Sequence, residues 1–328
     1  MNNKLANIKV FNIDIYKLRS PDFYKNMINQ RNKVYSKLKN FLIAEKKCSC
    51  ILCKSHNKKI YLKWKNYSLL SCKNCQAIYP NINFKKYSPK HYHSLKTKRK
   101  THKHEMLKTF NYRLENFAIE RIKYIKSNIK LNKKDLILDY GCGFGSFLFA
   151  LNRKKILSKG IDFDEDSINF CKSKKLDVSS KSLETEKNKS IKLITMFDVV
   201  EHLENPLKLL KTANRKLKKN GYMFFHTPNI HSLSFNLMGE KHNMFAAFNH
   251  LCFYNRPSLE YLAKKTGFKI VKIEYFGLDI KDYLQMLEST KYINIKFNKI
   301  LNEFSNLAQS VLDHSSVSNS MRIIFKKI

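Results

Sequence analysis

The stretch Leu136–Leu151, LILDYGCGFGSFLFAL, decides the fold. Leu136, Ile137 and Leu138 make a short apolar run, as a parallel strand buried on both faces requires. Phe147, Leu148 and Leu151 fall on one helical face. Between them Gly141, Gly143 and Gly145 occupy alternate positions. The stretch reads as strand, tight glycine turn and helix. That is the opening unit of a doubly wound α/β sheet, whose ligands bind at the carboxyl ends of the strands.

The glycine spacing also limits the ligand. A dinucleotide loop runs G-x-G-x-x-G, and its third small residue lets helix and strand pack closely. Counted from Gly141, that third position is Ser146, and the spacing here is G-x-G-x-G. Asp139 stands two residues before Gly141, where a carboxylate would repel a pyrophosphate. It would attract S-adenosylmethionine (SAM), which carries an ammonium and a sulfonium and no phosphate. KGIDFDEDSINFCK then reads as a second strand ending in Asp162, followed by a helix. Asp162 lies 21 residues after Gly141, near the ~20 expected of an acid that grips a ribose diol. Its other reading, shared with Asp164, is a cap on the next helix.

Outward from this unit the α/β alternation continues. A third strand is expected near Leu176–Val178, and SIKLITMFDVV gives a fourth. NPLKLLKTANRKLKKNG is the next helix, closed by Gly221 as a C-cap. YMFFHT gives a fifth strand, RPSLEYLAKKTGF a helix, KIVKIEYF a sixth strand and MRIIFKKI a seventh. Residues 277–319 read as a helical insertion before that last strand. Upstream, Leu107, Phe110, Leu114, Phe117, Ala118, Ile122 and Ile125 recur at three and four residues, an amphipathic helix leading into the sheet. The organisation is then a basic extension over 1–47 with a helix from about Asn32 to Lys46, a cysteine-bearing segment over 48–80, a connector and helix over 81–131, and an α/β domain over 132–328.

The segment 48–80 holds two C-x-x-C pairs, Cys50/Cys53 and Cys72/Cys75, with 18 residues between them. This is the spacing of a four-thiolate zinc site, closed and structural. The intervening KKIYLKWKNYSLLS can form short strands, giving an N-terminal zinc ribbon; a segment this small needs such a staple. Cys48 is a spare that can stand in for Cys50. Lys54 and Gln76 occupy positions where zinc knuckles usually carry glycine. Cys142, Cys171 and Cys252 read as core residues.

Composition narrows the class. At 328 residues with 43% hydrophobic content the chain can bury a large core. No run reaches the ~18 apolar residues of a membrane span, and the first twenty residues lack a secretory apolar stretch. A cytoplasmic protein with reduced thiols is expected. The net charge of +37 raises nucleic-acid binding. Yet only nine of the 63 basic residues are arginine, and the lysines spread along the whole chain. A solvated surface explains this better than a phosphate reader, which favours the arginine fork.

FDVVEHLENP follows the fourth strand, beside the glycine loop in this topology. Asp198, Glu201 and His202 have i, i+3, i+4 spacing, and one helical turn would put them on one side. They can supply a general base or bind a divalent cation; the reading without a metal is preferred. The aromatic, non-periodic segment from Thr227 to Leu262 suits a substrate pocket or lid. His250 and Tyr254 are its candidate pocket residues, or else they pack the lid. His202, oriented by Glu201 or Asp198, is the candidate catalytic base and His250 the alternative.

These motifs together resemble the class I SAM-dependent methyltransferases, and within them bacterial enzymes with an N-terminal zinc-binding segment and a UbiG-like catalytic domain. The resemblance covers Cys48 to the end and rests on CILC…CKNC, ILDYGCGFGSFL, GIDFDEDSINFC, FDVVEHLENPL and HLCFYNRPSLEYLAKKTGFKIVKI. It implies a seven-stranded Rossmann-like methyltransferase sheet. It also implies that Asp139, Gly141 and Gly143 hold the methionine end of SAM, Asp162 the ribose, Asp177 the adenine, and that Phe197 and Asp198 line the donor site. Related quinone-pathway O-methyltransferases carry a metal on E-x-x-E-H, where this chain has Asp198 as the first acid. Similar proteins accompany surface-polysaccharide synthesis, which implies a small, sugar-linked acceptor. The other readings are a quinone-type O-methyltransferase, an RNA methyltransferase using the ribbon and basic surface, and a non-catalytic SAM-binding protein.

Overall fold

The computed structural model describes residues 12–42, 44–45, 47–83, 103–245, 249–291 and 299–328. Most of the expected connector (84–102) lies outside the described residues.

The first helix, α1, spans Phe23–Leu38 rather than Asn32–Lys46. Its buried stripe is Tyr24, Arg31, Val34 and Leu38. An arginine occupies a core position there, so the apolar period is broken in the sequence. The Arg31 guanidinium finds its partners in backbone carbonyls of Glu240 and His242.

Three antiparallel strands follow: β1 (Lys58–Trp64), β2 (Tyr67–Cys72) and β3 (Ile78–Pro80). Strands β1 and β2 form from the stretch KKIYLKWKNYSLLS as expected, with Cys50 and Cys53 before β1, Cys72 at the end of β2 and Cys75 between β2 and β3. Trp64, Tyr67, Leu69 and Tyr79 belong to the same continuous core as Leu138, Ile194 and Phe225 of the large sheet.

The amphipathic stretch forms α2 (Phe110–Arg113), a π-helical turn over Leu114–Ala118 and α3 (Ile119–Asn128). Leu114, Ala118, Ile122 and Ile125 bury the apolar face against Phe147, Leu148 and Leu151, the helix after the glycines. That helix, α4, is Ser146–Arg153.

The large sheet has seven strands: β4 (Leu136–Tyr140), β5 (Ser158–Ile161), β6 (Val178–Ser179), β7 (Ile191–Phe197), β8 (Leu217–Pro228), β9 (Phe268–Phe276) and β10 (Ser320–Lys327). Their order is β6-β5-β4-β7-β8-β10-β9. All neighbours are parallel except β10, which runs antiparallel to both β8 and β9. The chain leaves β4 for β5 on one side and returns to β7 on the other. The carboxyl ends of β4, β5 and β7 therefore open onto a crevice where strand order reverses, the usual ligand position in such sheets.

Helices α5 (Glu165–Ser173) and α6 (Pro206–Lys216) connect these strands. Helix α6 ends at Lys216 and β8 begins at once. Gly221 is therefore not its C-cap: it lies inside β8, packed against the carbonyl of Lys218. After β8 come α7 (Leu233–Met238) and α8 (Arg256–Thr266), which Gly267 closes in the left-handed conformation. The expected insertion holds α9 (Asp279–Ser289) and α10 (Lys299–His314). Among the described residues no helix is long and apolar enough to cross a membrane.

Candidate active site and four-cysteine ribbon

The glycine loop is shaped by what surrounds it. Gly145 has φ +73°, and a Cβ there would sit 2.6 Å from Cys171 Sγ and 2.9 Å from Leu176 Cδ1. Gly143 has φ +51° with nothing within 4 Å of the position of a Cβ, so the loop faces open space there. The backbone N–H of Gly143 donates to Asp162 Oδ2 at 2.7 Å. The other oxygen of Asp162 accepts from the N–H groups of Phe163 and Asp164, at 2.8 and 2.9 Å. The acid at the tip of β5 is thus locked onto the loop at the tip of β4, beside the crevice. Asp164, not Asp162, caps α5, accepting from Ser167 N–H.

Asp139 is only 2% exposed. It lies beneath the loop rather than in the crevice, and Thr195 Oγ1 donates to it at 2.6 Å across the β4–β7 pair. Burial pushes its carboxyl up to about 6, against that hydrogen bond and the nearby Arg121 charge. Asp177 is a correction. It precedes β6 and is exposed on the amino-terminal side of that strand, while the crevice opens beyond Ser179. The described residues give it no place in the crevice.

Sequence reasoning missed Arg121. Its guanidinium lies 3.9 Å from the centroid of the Phe197 ring. Burial disfavours its charge, while Asp198 and then Asp139 favour it. Its Nε has no hydrogen-bond partner among the described residues. A half-buried guanidinium near the ends of β4 and β7 can receive a carboxylate such as that of SAM. The signal was present: Arg121 falls at i+7 from Leu114 and i+3 from Ala118, on the apolar stripe, in a chain that elsewhere prefers lysine.

Phe197 ends β7, and Asp198 follows it, exposed and with φ 59°. That conformation turns the chain, so the expected single helical turn does not form. A 3-10 turn over Val200–His202 carries Glu201 and His202 instead. They meet His250 from the irregular segment, not Asp198: one donor atom from each of Glu201, His202 and His250 lies within 4.8 Å of the others. The His202 and His250 rings pack with centroids 4.8 Å apart and planes tilted by 57°. His202 Nδ1 sits 2.8 Å from the carbonyl of Asn249, and its Nε2 lies 3.9 Å from Glu201 Oε1. The carbonyl can only accept, so Nδ1 holds the proton and the Nε2 lone pair faces the cluster. The backbone carbonyl, not a carboxylate, orients the ring. Glu201 is fully buried, and burial followed by the Asp198 charge raises its carboxyl well above the ordinary range. Thr227 donates to one of its oxygens at 3.2 Å, and the other has no hydrogen bond among the described residues.

The candidate Tyr254 belongs to the core, and so does His226. Tyr254 is 0% exposed and gives its hydroxyl to the carbonyl of Val200. His226 packs among Phe197, Phe224 and Phe276, and burial pushes its imidazole well below the usual range.

In the ribbon, the Cys50 and Cys75 sulfurs are 3.6 Å apart and those of Cys53 and Cys72 are 3.4 Å apart. All four lie within 4.8 Å of one another, and none is in a disulfide. A tetrahedral site with ~2.3 Å zinc–sulfur bonds has edges of about 3.8 Å. A hydrogen bond from the Cys75 thiol pulls Cys50 down to about 5. The two pairs fold alike: Lys54 N–H donates to the Cys50 carbonyl and Cys50 N–H to Ser55, as Gln76 does to Cys72 and Cys72 to Ala77. Lys54 and Gln76 take φ values of 62° and 58°, so the knuckles form without glycine. Cys48 is outside the cluster. The donor set fits a structural zinc ion.

A methyltransferase-domain family model matches residues 110–273, from α2 to within β9. The chain belongs to this family. The family is that of the class I SAM-dependent methyltransferases. It is 29% identical over 117 residues to a ubiquinone biosynthesis O-methyltransferase of Coxiella burnetii (strain RSA 493 / Nine Mile phase I), a match covering 33% of this chain and 50% of that protein. It is 28% identical over 192 residues to the protein of the same name from Pelagibacter ubique (strain HTCC1062), covering 52% and 80%. The chain thus spans about half the length of the first curated relatives it matches. A SAM-dependent methyltransferase structure from Archaeoglobus fulgidus shares 26% identity, covering 65% of this chain and 94% of that one at a TM-score of 0.47.

Proposed function

We propose that this chain moves the methyl group of SAM to a small acceptor and that His202 takes the acceptor's proton. The observation that carries the reading is the Glu201–His202–His250 cluster at the end of β7, beside the loop that Asp162 braces. SAM supplies a methyl group on a sulfonium: the acceptor's lone pair forms the new bond to carbon, and the carbon–sulfur pair returns to sulfur. The neutral thioether needs no acid, whereas a hydroxyl or activated carbon acceptor must lose a proton. His202 presents its Nε2 lone pair for that proton, held in orientation by Asn249. Burial of Glu201 beside it raises that carboxyl above the ordinary range and disfavours its charged form. Asp162 receives the ribose of SAM, the Gly141–Gly143 loop its methionine end, and Arg121 the carboxylate of that end. The four cysteines hold a structural zinc ion.

For the acceptor, the resemblance to zinc-bearing methyltransferases supports a sugar-linked or glycan-precursor molecule. A quinone-type phenol is the second reading, supported by the names of the curated relatives. The same cluster supports a divalent cation as the alternative to a free base, since a buried carboxylate and two imidazoles suit one.

Labelled SAM with a panel of nucleotide sugars and catechols tests the acceptor class. His202→Ala tests the base: SAM affinity should hold while turnover falls ~10²–10⁴-fold, with no rescue by divalent metal. Normal turnover of His202→Ala alongside an inactive His250→Ala would move the base to the irregular segment. Inhibition of the wild type by a chelator that leaves the ribbon metal in place would establish the cation instead.

A further inference from the structure

The four-cysteine ribbon is bonded to the segment that carries His250. Ile78 of β3 and Phe253 exchange both backbone hydrogen bonds, at 3.1 and 2.7 Å. Two residues on, Asn255 Nδ2 donates to the carbonyl of Gln76 at 2.9 Å. Gln76 is the left-handed residue of the second knuckle. The other side of the same segment grips the 3-10 turn: Leu251 and Cys252 both donate their N–H groups to the carbonyl of Glu201, at 2.7 and 3.1 Å, and the carbonyl of Asn249 orients His202. Residues 251–254 are almost completely buried yet belong to no helix or strand. Their backbone groups depend on the ribbon and on the turn. Among the described residues no hydrogen bond links the ribbon to Gly141, Gly143 or Asp162.

We propose that the ribbon is the positioning element of the acceptor side. The knuckle fixes Gln76 and Ile78, these fix residues 253–255, and that segment sets His250 and His202 in place. The roles of the two histidines rest on the methyl-transfer reading; the tie itself does not. The left-handed conformations of Lys54 and Gln76 are disfavoured in a non-glycine residue. The thiolate–metal bonds hold them there, because a small metal site carries its own folding energy. Loss of the metal lets the Gln76 carbonyl and the Ile78 pairing go, and the acceptor side loosens while the SAM loop stays formed.

Asn255→Asp tests the tie without touching a cysteine. Its carboxylate still accepts from Ser258 N–H, the cap that starts α8, and it loses the donor to Gln76. The variant should melt near the wild type and bind SAM within threefold of it. The Leu251, Cys252 and Phe253 amides should exchange with deuterium about tenfold faster, the loss of roughly one hydrogen bond. The His202 and His250 ring resonances should shift. Wild-type protein stripped of its metal should show the same changes more strongly, with SAM affinity again retained. Unchanged exchange at these three amides in both samples overturns the proposal. So does parallel loss of SAM binding, which would make the ribbon a support for the whole fold. A wild type that never binds SAM refutes the methyl-transfer reading and leaves the exchange result standing.

Discussion

Replacing Asp162 by alanine should weaken SAM binding by about 10–150-fold, a bound set by the hydrogen bonds the carboxylate already makes. A carboxylate offers about four lone-pair sites. Gly143, Phe163 and Asp164 occupy three of them in the free protein. One site on Oδ2 is left for a ribose hydroxyl, so the sequence-based picture of two ribose hydrogen bonds reduces to one. A hydrogen bond to a charged group contributes about 1.5–3 kcal/mol, and each ~1.4 kcal/mol is tenfold in affinity. Asp162→Asn keeps an acceptor oxygen but loses the charge, and its loss of affinity should fall between wild type and Asp162→Ala. Isothermal titration with SAM and S-adenosylhomocysteine reads both, with thermal melting to confirm that each variant folds. An Asp162→Ala protein that melts normally and binds SAM within threefold of the wild type would refute the reasoning.

Gly145→Ala should destabilise the fold by about 2–5 kcal/mol, from a left-handed alanine and overpacking against Cys171 and Leu176; a melting temperature equal to wild type would contradict it. Asp139 makes stability pH-dependent. Its folded value of about 6 lies above the ordinary 3.8, so between those pH values the folded state holds the extra proton and stability falls as pH rises. The loss is complete above about pH 6 and amounts to about 3 kcal/mol. Asp139→Asn should itself lack that slope, so the stability difference between variant and wild type changes between about pH 4 and 6; identical slopes in the two proteins would exclude the assignment. Elemental analysis should find one zinc per chain, held by Cys50, Cys53, Cys72 and Cys75; metal-free protein with freely titrating thiols would exclude the ribbon site.

Much of the architecture was legible because its signals are local. The apolar run and alternating glycines of 136–151 name the strand, turn and helix. The doubled C-x-x-C spacing names the ribbon, and the lysine-rich Arg121 helix shows its 3.6-residue period. Misses occurred where tertiary contact overrode local pattern. Arg31 fills an apolar slot in α1 because carbonyls from Glu240 and His242 reach it. Asp198 takes a left-handed turn, which no spacing rule announces, so the acid cluster gathers His250 in its place. Arg121 stands out as an arginine on an apolar stripe, but its role could not be read locally, because its partners Phe197 and Asp198 lie some seventy-six residues downstream at the end of a strand. Tyr254 looked like a pocket residue because burial of a lid segment against a second sheet cannot be read from periodicity.

The central claim is that the loop at Gly141–Gly145 and the acid at Asp162 bind SAM rather than a dinucleotide. Titration of the purified chain with SAM, S-adenosylhomocysteine and NAD measures it directly. The account predicts one saturable site per chain for SAM and for S-adenosylhomocysteine, with no heat of binding from NAD at the same concentrations. Equal binding of NAD, or no binding of SAM by a folded protein, would contradict it.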